Sequence, residues 1–353
     1  MLATIAPKIF ITSPHNKPSG GTKVLNQVSN LFREKGFESY VVVPDYEYLV
    51  KAEWTGDPAP VISLKDMIKM CDKEDIIIDG WQKTEIYKAT MSCPAEIKVF
   101  WSHGASIPIG RGYVGEKIFK ADSGYTHHWN VSMACRNYIE ETYDLKDIAI
   151  VHPFFDDDPM KKFLDKKTRY KRKGILCLAR RGSSYISYIV SKFGSENEIT
   201  VIRRSFHISK LYNSLLKHRF FISLDNGVTA HSIRYRISLY RKFLLGKNKI
   251  IPNSWLVPRG SILGFPMSAA ESAWLGAVVI GFPMGGGLEW MRPDNCFMAE
   301  DRDLNSLIHA IDSAINSDDV TLDQKVENAF NAVKRFNKDN TWKQIADSLD
   351  LKC

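Results

Sequence analysis

Short β-rich apolar runs alternate with helix-patterned stretches along most of this chain, and few folds accept that rhythm. KIFIT (8–12), SYVVVP (39–44), DIIID (75–79) and IKVFWSH (97–103) read as strands. Between the first two, Val24, Leu25, Val28, Leu31 and Phe32 recur at helical spacing, and Gly36 follows as a stop. NVSM (130–133) leads into a further helix through Ile139. The second half repeats the pattern with the buried-strand runs GILCLA (174–179), EITVIR (198–203), RFFISLD (219–225) and AVVIGF (277–282). A β-loop-α rhythm implies a parallel sheet covered by helices. Its recurrence on both sides of residue 155 predicts an α/β protein of two Rossmann-like domains facing a central cleft. Ligands of such folds sit at the carboxyl ends of the strands, here in the cleft between domains.

Composition agrees with a chain that buries a real core. It has 353 residues, 44% hydrophobic and 25% charged. No apolar run reaches the roughly 18 residues of a membrane-spanning helix. The start, MLATIAPKIFITS, lacks a basic segment, a long apolar stretch and a small-residue cleavage site, so it reads as the approach to a first strand. Cys71, Cys93, Cys135, Cys177, Cys296 and Cys353 are far apart and form no C-x-x-C pair. That spacing argues for a reducing, cytoplasmic setting and against a disulfide framework or zinc knuckle. The net charge of +8 is local. Residues 161–173 (KKFLDKKTRYKRK) carry eight basic side chains and one acid, and residues 231–249 carry six basic side chains and no acid. The remainder of the chain is therefore net negative. Such patches suit polyanions, anionic lipid surfaces or phosphorylated ligands.

Several motifs fall where strands end. SGGTK (19–23) joins the first strand to the first helix, where Gly20 and Gly21 let a ligand approach the backbone and a helix N-terminus offers free N–H groups to an anion. An ordinary glycine-containing turn would look the same. His103 closes the strand in FWSHGAS, at the end that faces a ligand crevice; a satisfied structural histidine is the alternative. Arg180 and Arg181 follow GILCLA, placed to grip a diphosphate or simply to form a solvated basic turn. The most informative stretch is GFPMSAAESAWLGAVVIGFPMGGGLEW (264–290). Gly264, Phe265 and Pro266 lead into a small-residue helix that holds Glu271, and Gly276 ends that helix before the next strand. A solvent-facing glutamate fits poorly among Ala269, Ala270, Ala273 and Trp274. A carboxylate in the first turn or two would be favoured by the helix dipole and could accept both hydroxyls of a ribose. Gly285–Gly287 then permit a tight turn nearby. FFDDDP (154–159) carries an Asp-x-Asp, but the flanking prolines make it a linker turn rather than a metal site.

Together these segments resemble, in order and over most of the chain, the GT-B glycosyltransferases of the large retaining family that builds bacterial glycans and includes sucrose synthase. The matching features are the Gly-Gly loop before the first helix, His103-Gly104, Arg180, and the glutamate, small-residue helix, Gly, Val-Val strand and Gly-Gly turn of 264–290. NCFMAEDRDLNSLIHAI resembles the strand and helix that follow, and FNKDNTWKQIADSL (336–349) the terminal helix. The resemblance implies an N-terminal acceptor-side domain over 1–155 with the C-terminal helix of 336–353 packed back on it. It implies a basic linker over 156–173 and a nucleotide-sugar domain over 174–335. It assigns Glu271 to the donor ribose, Arg180 and Arg181 to the diphosphate, and Gly20, Gly21, Gly264, Phe265 and Pro266 to the donor. His103 falls to the transferred sugar, with His103 and Arg180 as the catalytic pair. No metal, cofactor or protein nucleophile is implied; a UDP- or GDP-sugar would be the co-substrate.

Two departures and one addition stand out. The family's first signature glutamate falls at Leu263, which leaves the sugar and the retention of configuration open. The lysine expected soon after the arginine is missing from RRGSSYISY, where Arg181 can substitute. Residues 226–263 form a long insert that contains the basic segment 231–249, with Ile233, Ile237, Tyr240 and Leu244 at helical spacing. The sequence thus predicts a cytoplasmic transferase with a saccharide or lipid-linked glycan acceptor, peripheral to the membrane's inner face. The basic segments admit a second acceptor class, a modified base in nucleic acid. Loss of the glutamate also admits a non-catalytic nucleotide-sugar-binding scaffold.

Overall fold

The computed structural model describes residues 6–15, 17–44, 52–81, 83–104, 114–156, 172–179, 183–203, 207–224, 264–283, 285–300 and 303–351. The chain divides into two compact units. One comprises Met1–Lys162, Ser205–Leu211 and Phe336–Cys353; the other comprises Phe163–Arg204 and Tyr212–Arg335.

The first unit holds a parallel sheet of β1 (Ile9–Thr12), β2 (Ser39–Val43), β3 (Val61–Ser63), β4 (Ile76–Asp79), β5 (Ile97–Ser102), β6 (His127–Asn130) and β7 (Ile148–Ile150). Their spatial order is β3-β2-β1-β4-β5-β6-β7, the Rossmann order with one further strand. Ile9, Phe10, Ile11, Val41, Val42, Val43, Ile76, Ile77 and Ile78 are all essentially inaccessible. This is why the strands read as unbroken apolar runs: a parallel sheet buries both faces. Helix α1 (Gly20–Glu34) returns the chain from β1 to β2 and buries Val24, Leu25, Val28, Leu31 and Phe32. The helical spacing of the sequence therefore marks a core-facing stripe. Helices α2 (Leu64–Met70), α3 (Thr84–Ser92) and α4 (Met133–Tyr143) carry the chain from β3 to β4, from β4 to β5 and from β6 to β7. Strands β3, β6 and β7 were not legible as strands. Each has only three or four residues, too short for period or length to mark a strand: β6 begins with two histidines, and β7 is the brief apolar run Ile148–Ile150.

The second unit holds β8 (Ile175–Leu178), β9 (Ile199–Ile202), β10 (Phe220–Ser223), β11 (Val278–Gly281) and β12 (Phe297–Met298), all parallel, in the order β12-β11-β10-β8-β9. Counted from its own first strand this is the flavodoxin-like order, which turns at β8 and β10. Helices α5 (Ser183–Phe193), α6 (Ile208–Lys217), α7 (Met267–Trp274), α8 (Leu304–Ile315) and α9 (Asp319–Val333) follow in sequence. Ile175, Cys177, Ile222, Val278 and Ile280 meet Leu307, Ile311, Leu322 and Val326 in one apolar cluster. The last helix, α10 (Lys338–Leu349), belongs to the first unit, where it lays Trp342 edge-on against Phe32. Among the described residues, no helix is long and apolar enough to cross a membrane.

Candidate functional site

In the first unit the sheet changes direction between β1 and β4. These strands are paired with Thr12 opposite Asp79, and the segments leaving their carboxyl ends diverge. A crevice forms by necessity at such a point. After β1, Ser19 caps α1: its Oγ accepts from the Thr22 amide at 3.1 Å and shares a 2.8 Å hydrogen bond with Thr22 Oγ1. Gly20 and Gly21 are the first two residues of the helix. A Cβ on Gly21 would lie 3.1 Å from Cζ3 of Trp81 and 3.9 Å from Nδ1 of His103. Gly21 is thus glycine at least partly to seat an indole ring, a contact the sequence did not announce. Gly80 does the same for the neighbouring turn, since a Cβ there would stand 2.6 Å from Cδ2 of Leu25.

His103 follows β5, at the strand end expected for it. Its ring packs 4.7 Å from that of Trp101, and its enclosed Nε2 has no hydrogen-bond partner among the described residues. Burial pushes its pKa down to about 4, so the imidazole is neutral at pH 7. An unpaired polar atom in such a place costs about 1–3 kcal/mol. Beneath this corner lies Asp79, which is fully buried and accepts from Thr12 Oγ1 (2.9 Å), Thr90 Oγ1 (2.9 Å) and Tyr125 OH (2.6 Å). Burial pushes its carboxyl up to about 6, against the opposing pull of those three donors. The network ties the ends of β1 and β4 to α3 and so fixes where Gly80 and Trp81 emerge.

In the second unit the turning point is β8 beside β10. Strand β8 ends at Leu178; Arg180 and Arg181, the expected diphosphate ligands, lie outside the described residues. Strand β10 ends at Ser223, whose buried Oγ has no partner among the described residues. Leu263 and both basic segments, apart from Arg172 and Lys173 of the first, also lie outside them. Gly264, Phe265 and Pro266 lead into α7, and the Gly264 carbonyl accepts from the Gly286 amide at 2.9 Å. A Cβ on Gly287 would lie 3.3 Å from Pro266 Cγ. The glycine run thus forms one tight corner with the start of α7. Pro266 occupies the cap position of α7 and supplies no side-chain cap. It cannot, because proline has no polar side chain; the first turn is instead closed by backbone, with the Met267 amide donating to the Phe265 carbonyl at 2.9 Å and the Ala269 and Ala270 amides to the Pro266 carbonyl at 3.1 Å.

Glu271 is the fifth residue of α7 and is 2% exposed, as its small neighbours implied. The reason differs from the sequence argument. It stands in the second turn, beyond the reach of the helix dipole. The Tyr212 hydroxyl of α6, at 3.4 Å from Oε1, is among its contacts. Asp156 of the acidic run has a structural use, accepting the Lys338 amide at 2.7 Å at the start of α10. Asp157 and Asp158 lie outside the described residues. Among the described residues, no group of three His, Cys, Asp or Glu side chains is placed to hold a metal ion.

No protein-family model and no curated protein matches the sequence. Solved structures do match over nearly the whole chain. Anabaena HepE in complex with UDP and glucose shares 14% identity at a TM-score of 0.64, covering 98% of this chain and 99% of that one. An S. aureus TarM variant, in complex with fondaparinux, alpha-GlcNAc-glycerol and UDP, shares 8% identity at a TM-score of 0.70, covering 98% and 100%. An alpha-glucosyltransferase in complex with UDP and a 13-mer DNA containing an A:G mismatch shares 12% at 0.63, covering 97% and 98%. These likenesses establish a shared fold: the chain has the GT-B architecture of two Rossmann-like α/β units.

Proposed function

We propose that this protein is a glycosyltransferase that moves a sugar from a nucleotide-sugar donor, a UDP- or GDP-sugar, onto a saccharide or lipid-linked glycan without a metal ion. The observation that carries the reading is Glu271: a carboxylate 2% exposed, set among small residues in a short helix, in a chain of this fold. Alongside its contact with Tyr212, this carboxylate would accept hydrogen bonds from a vicinal diol, and the donor's ribose presents one. Gly264, Phe265 and Pro266, at the tight corner before α7, would line the donor. Arg180 and Arg181 would balance the charge that builds on the diphosphate as the bond to the anomeric carbon breaks. Gly20 and Gly21 would approach the donor phosphates or the acceptor. His103, neutral at pH 7, would hydrogen-bond the transferred sugar rather than act as a cation. Catalysis would rest on positioning and leaving-group stabilisation.

A second acceptor class has its own support. The basic segments 161–173 and 231–249 offer the charge a nucleic acid requires, and one structure of like fold was solved with DNA. Acceptor affinity that falls steeply with salt would favour it; a neutral glycan would show little slope.

A thermal-shift series with UDP, GDP, ADP, CMP and their sugar conjugates, with and without Mg²⁺, tests the donor reading. One nucleotide is expected to raise the melting temperature equally in both conditions. Glu271→Ala should weaken that nucleotide about tenfold or more, roughly one lost pair of charge-assisted hydrogen bonds. No shift with any ligand at millimolar concentration would overturn the proposal.

A further inference from the structure

Trp101, Trp129 and Trp290 are fully buried, whereas Trp81, like Trp54, is only partly so. It lies two residues beyond the carboxyl end of β4, on one lip of the crevice between β1 and β4. The edge of its six-membered ring rests on the first turn of α1, at the place where Gly21 lacks a side chain. The His15 ring stands 6.3 Å away, tilted by 53°. Gly21 adjoins both the Trp81 ring and the His103 imidazole. The indole is therefore held by one edge over the switch point and is not absorbed by the core.

A ring anchored this way offers an apolar face beside a neutral hydrogen-bonding group. That pairing matches the surface of a pyranose, which has a face of C–H groups and a rim of hydroxyls. We propose that Trp81 is the platform on which the transferred sugar of the donor stacks, and that it helps set which sugar is accepted. This rests on the nucleotide-sugar reading above. On that reading the indole face supplies dispersion to the sugar's C–H face, and His103 takes a rim hydroxyl. On the same reading the nucleotide falls to Glu271, Arg180 and Arg181, so Trp81 should contribute to the sugar alone.

Calorimetric titration of the whole protein tests this with UDP and UDP-glucose, or with GDP and GDP-mannose if only the guanine pair binds. The wild-type protein should bind the sugar conjugate more tightly than the bare nucleotide. Trp81→Ala should lose about tenfold in affinity for the conjugate and less than about twofold for the nucleotide, which removes the wild-type preference. Trp81→Phe, which keeps a flat face and can still rest on Gly21, should retain most of that preference. Equal losses for both ligands in Trp81→Ala would overturn the proposal and make Trp81 a packing residue, as would no loss for either. A wild-type protein that binds nucleotide and conjugate equally would also overturn it while leaving the donor reading in place. A wild-type protein that binds neither removes both.

Discussion

Asp79, fully buried, and His103, half-buried, are two titratable groups of the same corner that pull the stability of the first unit in opposite directions. The Asp79 carboxyl rises from 3.8 to about 6 on folding, so the native state holds its proton over that interval. Its stabilising contribution is fully present below about pH 3.8 and is lost as pH rises to about 6. The loss is roughly 3 kcal/mol for a shift of this size. His103 falls from 6.5 to about 4, so its contribution is present above 6.5 and is lost as pH falls toward 4. Because the windows overlap, only a difference measurement separates them. Asp79→Asn cannot ionise, so it should gain stability relative to wild type between pH 4 and 6, then hold a constant difference to pH 8. Urea midpoints of both proteins across that range test this; a difference flat with pH would reject a neutral Asp79. The His103 ring protons should show no titration by NMR above about pH 5. At this scale part of the candidate site's burial could be read from the sequence. Glu271 was legible because four small or apolar neighbours in one helix leave no solvent face for it. Trp81 was not, because its place depends on Gly21, sixty residues earlier, and only the pairing of β1 with β4 brings the two together.

Elements place these residues, and the ends of strands β10 and β11 show how little slack they allow. Gly281 closes β11 at φ +139°, and a Cβ there would lie 2.2 Å from the Ser223 carbonyl oxygen. Neither backbone can withdraw, because both belong to the same paired ladder. Gly281→Ala should therefore destabilise the second unit by roughly 3 kcal/mol, strain and overlap combined. Gly36→Ala is the control. It has φ +89° after α1 but open space around it, and should cost only about 1 kcal/mol. Thermal unfolding of the two variants compares them directly; equal losses would show that the close approach of β10 and β11 relaxes readily. The strands most buried in the sheets were the most legible, since burial on both faces writes a continuous apolar run into the sequence. Strands β3, β6 and β7 escaped because three or four residues are too few for a strand pattern to stand out. Their assignment comes from pairing, which a linear reading does not contain.

At the scale of the molecule, the chain leaves the first unit, builds the second, and returns to finish the first. The return is densely anchored. The Phe155 amide donates to the Phe336 carbonyl at 3.1 Å, and Thr341 Oγ1 donates to the His152 carbonyl at 3.0 Å. Gln344 accepts from the His152 amide at 2.9 Å, and Trp129 Nε1 donates to Ser348 Oγ at 2.6 Å. Trp342, Ile345, Ala346 and Leu349 are buried along the same helix. At about 1.5–3 kcal/mol for each large apolar side chain, their burial is comparable to the whole stability of a typical domain. The first unit should therefore not fold from residues 1–162 alone, although they hold its entire sheet. A chain ended after Arg335 should show the unfolding transition of the second unit but lose protection of the β6 and β7 amides in hydrogen exchange. A synthetic peptide of residues 336–353, added in excess, should restore that protection in proportion to its concentration, because binding to the folded form alone draws the equilibrium toward it. Full protection of β6 and β7 without the peptide would mean that the sheet supports itself and that α10 only covers it. The predicted dependence would make the second unit an insertion within the first, with correct assembly of the Trp81 and His103 corner waiting on the last residues of the chain.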